Sequence, residues 1–520
     1  MHKTSLREQK RLYFWFGIAL VAFALGLKIY ILYFPFFFYH YLVPPGGDAI
    51  NHLQYVNNIL NGSLKADYPP LFHFVIAVFS KLSGAQALQT MKWVTPFLVI
   101  LPSFALYIFS RRLFGFKAGV VAFFICLWVA NYGLVAYGDG NYPNLLAGGF
   151  FQPISLTFII LALTKPAKKT VIWAILFSVL IALTHHLTTA LYGTVLLVYF
   201  IVLLIWNRFE QIAPNIKRVF FVFLVLTGVV FVVVFLSPVR AVFESAIKSL
   251  FATGEVISSK NFAIVPNYHN YPEAIGGFVW YAGLIALLYL GLALGRAKDE
   301  VNKPAILLII CWFAVIFTLS RWQGVGLPSR IAREAGLPLT LAISYMLFDL
   351  LKAAKNSYQK IFAWSALSFV LVINLQQING GAYMSPEFFN RMVWADESDL
   401  QKARVLEGLT LSTESIISNP TSPYMGIFTN RTFVYPNPGK ISSPEDLISF
   451  AKVRKAKYVF IGKKTAGAPV GENAYAEFAN FTSITSALNA DKSVLREVEK
   501  FPDGSAIYEI TETKHAKVKK

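Results

Sequence analysis

The chain has 520 residues, 56% of them hydrophobic and 14% charged, with a formal net charge of +19. Its apolar residues form blocks long enough to cross a hydrocarbon core of roughly 30 Å, which excludes an ordinary soluble enzyme. Only 12 acidic residues precede Met384, and the Lys and Arg there sit in short clusters between apolar blocks, which argues against a basic groove for nucleic acid.

In chain order, Lys3, Arg7, Lys10 and Arg11 precede an apolar run over 12–34. The run is too long for a cleavable leader and reads as an uncleaved first span. Further spans are predicted near 91–110, 118–136, 149–164, 170–185, 188–206, 219–236, 277–294, 304–320, 337–351 and 361–376. Each must be helical, because lipid offers no partner to a free backbone group. The stretch 71–83 is apolar but short, and reads as an interfacial or re-entrant helix.

Alternate loops are basic: Arg111, Arg112 and Lys117; Lys165, Lys168 and Lys169; Arg208, Lys217 and Arg218; Arg296, Lys298 and Lys303; Lys352, Lys355 and Lys360. All fall on one side of the threading, which predicts a cytoplasmic N-terminus and an extracytoplasmic C-terminal domain in a plasma membrane. The outer loops are unequal, with long ones at 35–90 and 237–276.

After Gln377 the composition changes, and 16 of the 28 acidic residues lie beyond Ser385. SIISN, RTFVYP, AKYVFIG and SAIYEI have strand character. They alternate with amphipathic segments at 396–409, 443–454 and 472–488. The expected fold is therefore an all-α polytopic membrane bundle of about eleven transmembrane helices, followed by a small extracytoplasmic α/β domain with part of its sheet parallel. The expected domains are 1–384 in the membrane, 385–513 outside it, and a disordered basic tail at 514–520.

Few ionisable residues fall on the predicted outer side. Asp48 follows the first span in PPGGDAINHL, one helical turn before His52. It reads either as a helix N-cap or as a base or cation ligand beside a histidine. Asp139, in AYGDGNYPNLLAGGF, reads either as an Asp-Gly turn or as a carboxylate that holds a divalent cation with the amides of Asn141 and Asn144. His185 and His186 fall at the turn between two short spans, and His73 lies in YPPLFHF. In SRWQGVGLPSRIAREAGLPLTL, Arg330 and Arg333 stand one helical turn apart. Paired guanidinium groups suit a phosphate. Lipid-headgroup contact or pairing with Glu334 is the alternative. The two cysteines, Cys126 and Cys311, lie in apolar blocks and supply neither a disulfide framework nor a Cys-based metal site.

This layout resembles the GT-C superfamily of integral membrane glycosyltransferases. The similarity rests on Asp48 in GGDAINHL, the following YPPLFHF, the PSRIAREAGLPLTL run, and a tail of LQKARVLEGLTLSTESIISN, TNRTFVYP and AKYVFIG. The resemblance implies a polyprenyl-phosphate-linked sugar donor and a glycan, lipid or protein acceptor, in a cell-envelope glycosylation reaction within membrane lipid. It implies Asp48 as catalytic base or metal ligand, with a second acidic position near Asp139. The chain departs from oligosaccharyltransferases in having Asn141 as its second residue there and no WWDYG-type segment. The set expected from the sequence is Asp48, His52 and Asp139 for catalysis, Arg330 and Arg333 for the donor phosphate, and His73, His185, His186 and Glu334 in support. The sequence establishes no cofactor; a divalent Mg or Mn ion, if one is bound, would sit on Asp48 and Asp139. The competing readings are a lipid or solute transporter or flippase, and an inactive membrane scaffold. A transporter would place ionisable residues at mid-membrane.

Overall fold

The computed structural model describes residues 3–46, 48–63, 68–165, 167–208, 270–296, 301–322, 328–353, 395–418, 424–434, 444–462 and 494–511, with scattered positions between 215 and 228. The spans expected near 219–236 and 361–376, most of the loop 237–276, the segment 472–488 and the tail 514–520 lie largely or wholly outside these residues. The chain divides into two compact units. One is Met1–Leu32 with His52–Gly381, the other Tyr33–Asn51 with Ala382–Lys520.

The chain is a multi-pass membrane protein. Eight described helical segments are long and apolar enough to cross a bilayer: Gly17–Phe38, Ala87–Leu113, Phe116–Gly138, Tyr142–Thr164, His186–Trp206, Gly277–Arg296, Asn302–Arg321 and Arg330–Ala353. We number the helices α1 (Lys3–Phe38), α2 (Ala49–Leu60), α3 (Leu71–Ser83), α4 (Ala87–Leu98), α5 (Leu101–Leu113), α6 (Phe116–Trp128) and α7 (Tyr132–Gly138). There follow α8 (Tyr142–Thr164), α9 (Lys168–Thr184), α10 (His186–Trp206), α11 (Asn270–Ile275), α12 (Gly277–Arg296), α13 (Asn302–Arg321), α14 (Pro328–Glu334) and α15 (Gly336–Ala353). At 17 residues α9 reaches roughly 25 Å, a little short of the core thickness. With 13 residues α3 is too short to cross alone.

Several helices break where their sequences dictate. Pro96 and Pro102 flank the interruption between α4 and α5, where a missing N–H weakens the helical ladder. Between α9 and α10 the chain is extended at His185, whose side chain accepts a hydrogen bond from the Thr188 amide and so caps α10. Within α8 the segment Leu145–Phe151 is a π-helical turn containing Gly148 and Gly149. Such turns hold an extra residue and often sit beside functional groups. Helix α12 packs closely on α15 because Gly283 lacks a side chain: a Cβ there would lie 2.7 Å from Leu339 Cβ.

In the second unit, helices α16 (Glu397–Leu409), α17 (Met425–Thr429) and α18 (Pro444–Arg454) accompany a five-stranded sheet. Its strands are β1 (Ser415–Ser418), β2 (Thr432–Val434), β3 (Ala456–Ile461), β4 (Leu495–Lys500) and β5 (Ala506–Ile510), in the order β2-β1-β3-β5-β4. β1 runs parallel to β2 and β3, while β5 is antiparallel to β3 and β4. Strand alternation splits the core in two. Ile417 and Val459 pack with Leu447 and Ala451 of α18, and Ile416, Tyr458 and Phe460 pack with Ala403 and Leu406 of α16 and Met425 of α17. Asp396 caps α16, accepting from the amides of Ser398 and Asp399, and Asp399 returns a bond to the Asp396 amide.

Candidate active site

In the membrane unit, polar side chains far apart in sequence gather at the start of α10 and the ends of α7 and α14. His52 of α2 and His73 of α3 are both buried, and their rings are joined by a 3.0 Å hydrogen bond from one Nδ1 to the other Nε2. The Gly140 backbone also hydrogen-bonds the His52 ring. Burial, then the nearby Arg330 charge, depress the pKa of His52 to about 3, so it is neutral at physiological pH. Tyr68 lies edge-on to both rings, with centroids 5.7 Å from His52 and 5.4 Å from His73, and it also faces His186 at 5.2 Å. Arg330, half-buried on α14, is near enough to act electrostatically on His52, His185 and His186 alike.

Arg333 sits one turn further along α14 and is 2% exposed. Its Nη1 donates to Asp139 Oδ2 at 2.6 Å, while the Asp139 side chain is 49% exposed. Nε and Nη2 of Arg333 are buried and have no hydrogen-bond partner among the described residues. The same holds for Asn141 Nδ2 and His186 Nδ1. Buried N–H groups are rarely left unmade, since each costs about 1–3 kcal/mol and charged ones more.

A second network backs this one. Asn144 Nδ2 donates to Glu334 Oε1 at 2.5 Å, and Asn144 Oδ1 accepts from the Thr188 hydroxyl at 2.7 Å. Thr188 in turn touches His185 Nδ1 at 2.8 Å. Glu334 is therefore engaged by an amide, and the arginine next to it in sequence is engaged by Asp139. The fit is close enough to require glycine at position 148. A Cβ there would stand 2.8 Å from Asn144 Oδ1, 3.0 Å from Glu334 Oε2 and 3.3 Å from the Tyr132 hydroxyl. Gly148→Ala is expected to destabilise the protein by about 1–3 kcal/mol through overpacking. Gly193→Ala, with nothing within 4 Å of the added atom, serves as the control. Thermal melts of the two variants in detergent check this, and equal melting temperatures would contradict it.

Of the residues expected from the sequence, His52, His73, Asp139, His185, His186, Arg330, Arg333 and Glu334 all belong to the membrane unit and to these linked contacts. Asp48 belongs to the other unit. It lies in a turn closed by the Ala49 amide on the Gly46 carbonyl at 3.2 Å, and it directly precedes α2. Gly46 has φ +100°, which only glycine adopts readily, so the PPGGD sequence is suited to this turn. Sequence reading did not single out Thr188, Tyr68, Tyr132 or Gly148. A threonine three residues after a cap position is the one local signal among them.

No family model and no curated protein matches the sequence. Solved structures do match. The archaeal oligosaccharyltransferase AglB from Archaeoglobus fulgidus, in complex with an inhibitory peptide and a dolichol-phosphate, superposes with a TM-score of 0.60 at 13% identity, over 96% of this chain and 75% of that one. ArnT from Cupriavidus metallidurans, bound to undecaprenyl phosphate, gives 0.55 at 14% identity, over 95% and 97%. The arabinofuranosyltransferase AftD from Mycobacteria gives 0.50 at 14%, over 96% of this chain and 40% of that one. The chain has the GT-C fold. One AglB structure contains zinc and sulfate. Among the described residues of this chain, no three His, Cys, Asp or Glu side chains converge as metal ligands. Asp139 instead holds a guanidinium against one of its oxygens. A carboxylate paired to a guanidinium is a weaker ligand for the Mg or Mn ion that the sequence left open.

Proposed function

We propose that this GT-C chain is a glycosyltransferase, moving a sugar from a polyprenyl-phosphate donor to an acceptor on the outer face of the membrane. The observation that carries this reading is Arg333. It is a buried cation held in one orientation by Asp139, with two N–H groups unsatisfied. A guanidinium with a free edge matches two oxygens of a phosphate. Together with Arg330 it would bind the donor phosphate and hold the negative charge that develops as the sugar departs.

In the proposed step the acceptor's O–H or N–H attacks the anomeric carbon, the carbon–oxygen bond to phosphate breaks, and the polyprenyl phosphate leaves with that electron pair. The acceptor proton passes to the Asp48 carboxylate. A single displacement of this kind inverts the anomeric centre. His52, neutral and hydrogen-bonded to His73, has no charge with which to compete for the phosphate. With Tyr68 and His186 the two histidines form a cluster of rings beside Arg330. Asp139 serves to orient Arg333, and Glu334, Asn144, Thr188 and His185 brace the helix that carries it. The topology proposed with this places the N-terminus in the cytoplasm and the α/β unit outside.

The test is to incubate purified protein with a panel of undecaprenyl- and dolichyl-phosphate-linked hexoses and pentoses and to measure the lipid phosphate released. Release that depends on Arg333 supports the reading. No binding of undecaprenyl phosphate and no release from any donor would favour the scaffold.

A further inference from the structure

The start of the first outer loop is built into the α/β unit: Tyr33–Asn51 clusters with Ala382–Lys520. Two hydrogen bonds fix it there. The Leu42 amide donates to the Ala395 carbonyl at 2.9 Å, and the Tyr424 hydroxyl donates to the Pro44 carbonyl at 2.9 Å. Tyr424 is fully buried, as is Val43, and the Tyr424 ring stacks on Phe428 of α17 at 6.3 Å between centroids. Both anchors stand at helix starts. Ala395 immediately precedes the capped N-terminus of α16, and Tyr424 immediately precedes α17.

The chain that leads to Asp48 is restricted where it leaves the anchor. Pro44 and Pro45 each fix one backbone torsion. The Gly46–Ala49 turn then closes through its own hydrogen bond, and α2 begins at Ala49. Asp48 thus stands four residues beyond the Tyr424 anchor, inside a turn that a backbone hydrogen bond closes.

From this we infer that the α/β unit positions the Asp48 carboxylate, with Tyr424 as a positioning residue acting through the Pro44 carbonyl. The inference rests on the reading of Asp48 as the base. It gives the unit a role in the chemical step, set by the backbone it holds. A carboxylate displaced by about 1 Å from a productive position loses rate on the order of a hundredfold, so even a partial loosening is measurable.

The experiment uses the full-length Tyr424→Phe variant, which removes one oxygen and keeps the ring. Two readouts are taken. Hydrogen exchange by mass spectrometry on peptides covering 39–48 reports the clamp directly. Steady-state kinetics on whichever lipid-phosphate sugar the panel identifies report its consequence. We expect faster exchange across 39–48, kcat lower by about tenfold, and donor KM unchanged, because a misplaced base slows the chemical step and leaves phosphate binding alone. Unchanged exchange would overturn the inference, as would faster exchange with kcat intact. Equal losses through a raised KM would also overturn it, pointing to a role in binding. Failure of the base assignment itself is distinguishable: Asp48→Asn would then keep full activity while exchange across 39–48 in Tyr424→Phe still rises.

Discussion

Asp48→Asn is expected to lower the transfer rate by about 10²–10⁴-fold, the range ordinarily supplied by a positioned general base. The substitution keeps the size and hydrogen-bonding capacity of the side chain and removes its ability to take a proton. Asparagine is also as good as aspartate at the position just before a helix, so α2 should start as before. Loss of activity with an unchanged melting temperature would therefore report on chemistry and not on folding. A polyprenyl phosphate is already a competent leaving group, so the acceptor proton is the part of the reaction that most needs help from the protein. Measured turnover within a factor of three of the parent would remove Asp48 from the mechanism.

The second large effect is expected at Arg333. Arg333→Ala should abolish detectable binding of undecaprenyl phosphate and lower transfer by about 10²–10³-fold, as expected for removal of a preorganised donor to developing charge. Two opposing terms decide whether the variant folds. Removing a 2% exposed cation relieves a buried charge that the protein only partly satisfies. The Asp139 carboxylate left behind is half exposed, so water can solvate it at little cost. The variant should consequently remain folded, and the loss should appear in ligand binding. Arg333→Lys is expected to recover little, because an ammonium cannot hold Asp139 and present a second edge to phosphate at once. Binding measured by tryptophan fluorescence or microscale thermophoresis against undecaprenyl phosphate checks both variants. Unaltered affinity in Arg333→Ala would exclude this residue as the phosphate anchor.

Much of this architecture can be read from the chain, for physical reasons. Apolar blocks must be helical in lipid, so the spans from Gly17–Phe38 to Arg330–Ala353 follow from composition, and the shortness of α3 is visible in 71–83. Four strands of the α/β unit announce themselves by β-branched and aromatic runs. β4 does not, because LREVEK is an edge strand whose side chains are mostly exposed and charged, a pattern that keeps edges from pairing with other chains. In the site, the residue types were legible and their partners were not. Arg333 and Asp139 are 194 residues apart, and Asn144 and Glu334 are 190. Nothing local distinguishes an arginine paired with its neighbour Glu334 from one that reaches across to another helix. His52 and His73, separated by 21 residues, meet from two different helices, which no single-segment periodicity reveals. The docking of Tyr424 on Pro44 spans 380 residues and is equally invisible in sequence.

The π-helical turn at Leu145–Phe151 has an implication for how this helix can vary. It accommodates one residue more than a regular helix of the same rise would need. Removing a single residue from this stretch would let α8 relax to uniform α-geometry and still cross the membrane. The two halves would keep about their present relative orientation, because the wide turn exists to absorb the extra residue. What would change is the turn itself, where Gly148 lies against Asn144 and Glu334. A one-residue deletion here would therefore alter the packing behind the active site while leaving a helix that still inserts and crosses the membrane.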